Sequence, residues 1–352
     1  MLQFRILILS SLVFFSTIVK AEVSVGLILP LSGGAAIYGN ACRNGVTLGF
    51  EDFKEKINGR FKVDYEDDQN SAAQTVTALR KLRASKKSEF IVSFTSNTSN
   101  AINSLADREN FILFALATDP AVVNGKKNVF SYWVTPETET KALIAELNFR
   151  KMKKIAVFTA QQTGALAVRD SFLKEAPKYG IEIVAQEEIS PEEKDFPSLL
   201  AKLTRIKEID GIFNNLYLDQ AGLFAKQLKD RGINAPTFDI EMYENDAVVK
   251  NAQGALEGQF FINAPVGEKE FIAKYKSRFP KDSLVGAANC YDFIGLLSSS
   301  PELSVSGFRT YLENLKDYPG AAGKSSATGD HRFSLPAIVK EIRGKEFIEL
   351  ER

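Results

Sequence analysis

Residues 23–39 read Val23-Ser24-Val25-Gly26-Leu27-Ile28-Leu29-Pro30-Leu31-Ser32-Gly33-Gly34-Ala35-Ala36-Ile37-Tyr38-Gly39. The first seven are apolar on both faces, which predicts a strand covered on both sides. Pro30 ends it, Ser32-Gly33-Gly34 is a turn, and helical spacing follows over about 40–56. Working outward, 61–65 alternates like a strand with one wetter face, and 72–85 puts Val76, Leu79 and Leu82 on one helical side. A strand over 90–94, a helix over about 100–109 and a strand over 111–115 follow. Strands alternating with helices at this pitch predict a parallel sheet with helices on both faces.

The rhythm restarts after Pro136, with helices over 139–150, 166–179, 196–207 and 220–231 and strands over 154–158, 182–185, 211–214 and 237–239. A further long helix fits 287–298, and 337–350 reads as a hairpin turning at Arg343-Gly344-Lys345. The fold class is therefore α/β, in two units of similar size. A length of 352 residues, at roughly 150 per domain, agrees.

Composition narrows the function. Lys+Arg and Asp+Glu are 44 each, so the chain lacks the basic surplus of a general nucleic-acid binder. One histidine and two cysteines speak against a histidine-based zinc site and exclude a disulfide-dense scaffold. At the N-terminus, Arg5, an apolar run over 6–15 and Val19-Lys20-Ala21 form a secretory signal peptide cleaved after Ala21. The apolar run is short for a bilayer span, and no cysteine follows it to carry a lipid. Without residues 1–21 the chain keeps 42 basic and 44 acidic side chains, net −2.

Polar residues gather at the carboxyl ends of the expected strands, where open parallel sheets bind ligands. They are 31–39 after the first strand, Thr95-Ser96-Asn97-Thr98-Ser99-Asn100 after the third, and Ala117-Thr118-Asp119-Pro120 after the fourth. Hydroxyls and N–H groups at helix starts can seat a carboxylate, or simply cap the helices. Nucleotide enzymes fit poorly: Ser32-Gly33-Gly34 with Gly39 lacks the dinucleotide spacing, and Gly323-Lys324-Ser325 lacks the loop and strand of a phosphate-binding lysine motif. A serine hydrolase would need His331, which stands in a polar loop without a Gly-x-Ser-x-Gly elbow. No catalytic constellation, metal site or cofactor is implied.

Taken together, Val25–Gly33, Tyr38-Gly39, Asn44-Gly45, Tyr65-Glu66-Asp67-Asp68-Gln69, the helix from Gln74 to Leu82, Lys194-Asp195-Phe196 and Tyr291-Asp292 carry a resemblance. Their order and spacing resemble the type I periplasmic solute-binding proteins of the leucine/isoleucine/valine-binding kind, the receptors of bacterial ABC importers. That resemblance implies two doubly wound lobes joined by a three-crossing hinge. Lobe one would be 22–136 plus 265–327, and lobe two 137–264 plus 328–352. The protein would be a periplasmic monomer that closes on a small ligand and is read by an ABC permease in the inner membrane.

The resemblance also implies site residues. Thr118, in Ala117-Thr118-x-Pro120, matches the threonine that holds a ligand carboxylate, helped by N–H groups beside Asn97 and Thr98. Glu241, by its spacing to Asn245, matches the acid that meets an ammonium, and Tyr38 and Tyr217 would wall the pocket. Asn97 stands where the family has serine, Thr163 replaces an aromatic, and Trp133 stands near a place that is often arginine. Cys42 and Cys290 fall on helices assigned to lobe one; a disulfide and a pair of buried thiols both fit an exported protein. The ligand would be an amino acid or a similar small polar solute. The rival is an envelope protein that uses this fold to bind a partner protein.

Overall fold

The computed structural model describes residues 22–351 apart from Asn58 and Arg60. The leader and its cleavage after Ala21 lie outside the described residues. The chain begins β1 (Val23–Leu29), α1 (Ala36–Asp52), α2 (Lys54–Ile57), β2 (Phe61–Asp67), α3 (Ala72–Lys81), β3 (Phe90–Phe94), α4 (Ser96–Arg108), β4 (Ile112–Leu116) and β5 (Val129–Ser131). A second run is α5 (Pro136–Phe149), β6 (Lys154–Ala160), α6 (Thr163–Glu175), β7 (Glu182–Ile189), α7 (Pro197–Leu203), β8 (Gly211–Asn215), α8 (Asp219–Asp230), β9 (Thr237–Ile240), α9 (Asp246–Asn251) and β10 (Phe260–Asn263). Then come α10 (Lys269–Arg278), α11 (Ala287–Ser299), α12 (Val305–Glu313), β11 (Tyr318–Gly320), β12 (Gly323–Ser325), β13 (Ile338–Arg343) and β14 (Glu346–Glu349).

The first sheet is parallel, in the order β2-β1-β3-β4-β5, with Leu27 of β1 beside Tyr65 on one side and Val92 on the other. The second repeats that order as β7-β6-β8-β9-β10 and adds β13 and β14 antiparallel. Each sheet is thus doubly wound, with its order reversing beside β1 or β6. Alternate residues of the central strands enter different cores, as the period of two requires. Val25, Leu27 and Leu29 pack towards α1 and α11, and Ile28 towards α3 and α4. Likewise Ala156 and Phe158 enter one core of the second lobe, and Ile155 and Val157 the other.

In lobe one α1 lies against α11 at backbone contact. A Cβ on Gly45 would stand 2.0 Å from the Ala287 carbonyl oxygen, so no other residue fits there. Beside that contact Cys42 and Cys290 are joined, S–S 1.98 Å, 248 positions apart in sequence.

The chain passes between the sheets three times, at 132–135, around 264, and at 336–337. The last crossing corrects the expected boundary at 327–328. Arg332 bridges Ser131 in parallel, and Phe333 and Leu335 are buried in the core of lobe one. The polar stretch 328–332 hid those two apolar anchors. Four strands, β5, β10, β11 and β12, were not expected either; at three or four residues each they are too short for a periodic signal.

Candidate functional site

The carboxyl ends of both sheets face each other. From lobe one come Tyr38 in the first turn of α1, Thr95, Ser96 and Asn97 where β3 passes into α4, and Ala117 and Thr118 after β4. From lobe two come Gly164 in α6, Asn215 and Tyr217 at the end of β8, and Glu241 after β9. Trp133, on the first crossing, lies above them. They enclose a cavity of about 80 Å³, walled by Phe94, Leu116, Val168, Leu216, Met242 and Val285 as well as the aromatic residues. Glu241 is the one charged residue in that lining among the described residues. A larger groove of about 1070 Å³ runs between α5 and α6, lined by charges of both signs.

Several side-chain hydrogen bonds span the two lobes. Thr118 Oγ1 donates to Glu241 Oε1 at 3.0 Å, and the Trp133 indole N–H donates to the same oxygen. Asn70 Nδ2 donates to the Tyr217 hydroxyl at 2.9 Å, and Asn245 Nδ2 to that of Tyr38 at 3.2 Å. The lobes are closed on each other.

Ser96, one residue before Asn97, also lines the cavity. Its Oγ accepts the N–H groups of Thr118 at 3.1 Å and Asp119 at 3.0 Å, which leaves its own proton to donate. Asn97 lines the cavity one residue on. Thr98 does not line it; its hydroxyl donates to the Phe94 carbonyl and so serves the first turn of α4. Of the remaining expected residues, Tyr38, Ala117, Thr118, Tyr217 and Glu241 all reach the cavity. The first turns of α4 and α6 meet there: a Cβ on Gly164 would stand 3.0 Å from Ser96 Oγ. Two helix N-termini directed at one space favour an anion.

Electrostatics are dominated by acids. Burial lifts the Glu241 carboxyl above the usual carboxylate range, against the hydrogen bonds of Trp133 and Thr118. Asp239, two residues earlier on β9, is fully buried and lifted well above that range by its burial. Glu139, in the first turn of α5, is likewise fully buried and raised by burial and then by Glu241. Sequence reasoning missed Glu139, because an acid in a first helical turn ordinarily complements the dipole. Burial pushes the Tyr217 hydroxyl up to about 12. Among the described residues no cluster of His, Cys, Asp and Glu could hold a metal ion. His331 lies away from the cavity, its ring stacked on Phe130 at 4.6 Å.

Backbone strain collects here too. Thr95 (φ 80°), Leu218 (φ 49°) and Glu241 (φ 73°) are non-glycine residues at positive φ, all at turns that follow strand ends. Such conformations cost on the order of 1–3 kcal/mol each and persist where surrounding packing imposes them.

Comparison with known proteins agrees with this geometry. The periplasmic binding protein family model matches residues 22–346. The Leu/Ile/Val-binding protein BraC3 of Rhizobium johnstonii is 24% identical, over 94% of this chain and 95% of that one. A leucine binding protein, LivK, from Thermotoga maritima superposes with a TM-score of 0.86 at 17% identity, over 94% of this chain and 98% of its own. LivJ from Streptococcus pneumoniae, a branched-chain amino acid transporter substrate binding protein in complex with isoleucine, superposes at 0.82 with 20% identity, over 94% and 100%. The chain belongs to the periplasmic binding protein family, in its type I, leucine/isoleucine/valine-binding branch.

Proposed function

We propose that this protein is the periplasmic receptor of an ABC importer and holds an amino acid with a small apolar side chain between its lobes. The observation that carries this is the composition of the cavity wall. One acid, Glu241, stands at one end, two helix N-termini with the free Ser96 proton at the other, and aromatic and aliphatic side chains line the rest. The ligand carboxylate would sit between the first turns of α4 and α6 and take the Ser96 hydroxyl and N–H groups near Asn97. Glu241 Oε1 already accepts Thr118 and Trp133, so the ammonium would meet Oε2. At about 80 Å³ the cavity is far below the roughly 300–1,000 Å³ of pockets for drug-sized ligands, which favours a small solute. Closure around it is the state a permease would read.

A thermal-shift screen of amino acids, amides and small organic acids tests this. A ligand at about 100 times its Kd adds about 2.7 kcal/mol of stability, so one or more apolar amino acids should raise the melting temperature by several degrees. Trp133, the single tryptophan, should report the same binding by a fluorescence change. A screen in which organic acids shift the melt and amino acids do not removes the amino-acid ligand. No shift from any compound favours a partner-protein role instead.

A further inference from the structure

Glu139 belongs to none of the roles assigned so far. Its side chain is fully buried, and neither of its oxygens meets a donor. The side chain within hydrogen-bonding reach is Glu241 itself. Two carboxylates offer acceptors and no donor, so this contact is a hydrogen bond only if one of them carries a proton. The Trp133 N–H and the Thr118 hydroxyl stabilise the ionised form of Glu241; Glu139 has no such partner. Asp239 on β9 and Glu137 on its own helix, both acids, also act on Glu139. The proton therefore belongs on Glu139.

We propose that Glu139 is a positioning residue of the cleft, held as a neutral acid whose O–H donates to Glu241 and aims that carboxylate at the ligand ammonium. Its place in the fold gives this a purpose. Thr118 is on lobe one and reaches Glu241 only when the lobes are together. Glu139 is on α5, whose apolar face packs in the same lobe that carries Glu241. It keeps its hold when the cleft opens, so the ammonium site is already oriented before a ligand arrives. This rests on the amino-acid reading above.

The test compares E139Q and E139L in the full mature chain. The glutamine amide donates where the acid O–H does; leucine fills the space without a donor. With L-leucine, or whichever apolar amino acid the screen selects, E139Q should bind within about threefold of wild type and E139L about tenfold or more weaker, the loss expected for a hydrogen bond to a charged group. In the ligand-free protein at neutral pH, the infrared spectrum should contain a protonated-carboxyl C=O component that E139Q lacks. If E139Q loses as much affinity as E139L, or if its spectrum keeps every protonated-carboxyl component, the proposal is overturned. If wild type binds no amino acid, the functional reading fails, and the spectrum of the ligand-free protein still decides the state of Glu139. Should E139L not fold, E139Q supplies both readouts.

Discussion

Thr118 and Glu241 stand on opposite lobes, 123 residues apart in sequence, and share a hydrogen bond of 3.0 Å across the cleft. A ligand ammonium placed there would be desolvated, with Glu241 as its counter-charge. Removing one member of a buried charge pair costs roughly 3–5 kcal/mol, and each 1.4 kcal/mol is about tenfold in affinity. Glu241→Gln should therefore weaken an amino-acid ligand by on the order of a hundredfold or more. Asp239→Asn should do much less, because Asp239 does not line the cavity and its Oδ2 accepts the Tyr243 N–H at 2.8 Å. Calorimetry on the two variants decides; equal small losses would take Glu241 out of the site.

Gly164 lets the two lobes meet. A methyl group there would stand 3.0 Å from Ser96 Oγ, and that oxygen is fixed by the Thr118 and Asp119 N–H groups. Gly164→Ala should leave each lobe folded and disfavour the closed state, with an affinity loss of about tenfold for a cost near 1.4 kcal/mol. Small-angle scattering at saturating ligand should then show a larger radius of gyration than wild type. Unchanged affinity would mean that Ser96 shifts freely, and that closure does not depend on this contact.

Much of this architecture was legible in the sequence because strands covered on both faces read as apolar runs, as 25–29, 90–94 and 112–116 do. The short strand Val129-Phe130-Ser131 was not legible, since three residues carry no period. At the site, the hydroxyl clusters at the strand ends pointed to the cleft, and the family resemblance, matched through the spacing to Asn245, pointed to Glu241. Asn97, at the start of α4, does line the cavity, and Ser96 beside it, which was not expected there, lines it too. A helix start is the place where backbone geometry decides which side chain turns inward. Pairs such as Asn70 and Tyr217, 147 residues apart, are invisible without the closed lobes, and so was the burial of Glu139.

The Cys42–Cys290 bond ties the first helix of lobe one to α11, which follows the β6–β10 run of lobe two. Closing so long a loop stabilises by up to about 5.5 kcal/mol on the chain-entropy model, less any native strain. At roughly 2–4 °C per kcal/mol for domains of this size, C42S/C290S should melt on the order of 10 °C below wild type. Its ligand affinity should change little, because neither cysteine lines the cavity. A melting temperature unmoved by the double substitution would show that the packing of α1 on α11 suffices alone.

Stability should fall as pH rises from mildly acidic to neutral. Asp292 in α11 is fully buried, accepting the N–H groups of Ala321 at 2.6 Å and Ala322 at 2.9 Å and the Tyr132 hydroxyl at 3.2 Å. Burial outweighs those bonds and pushes its carboxyl up to about 7. An aspartate in the unfolded chain titrates near about 3.9. Between those two values the folded protein holds a proton that the unfolded chain has released, so stability drops across the window and levels off above it. Burial also lifts Glu139, Asp239 and Glu244, which act with the same sign. Asp67 acts oppositely: hydrogen bonds from Ser32, Gln69 and Leu31 outweigh its burial and hold it low, so its contribution is lost only in stronger acid. The melting temperature at pH 5 should therefore exceed that at pH 8. In D292N the fall should be shallower but start lower, since the amide has one acceptor for the two N–H groups of Ala321 and Ala322. A melting temperature that rises from pH 5 to pH 8 would mean that Asp292 is ionised in the folded protein throughout that range.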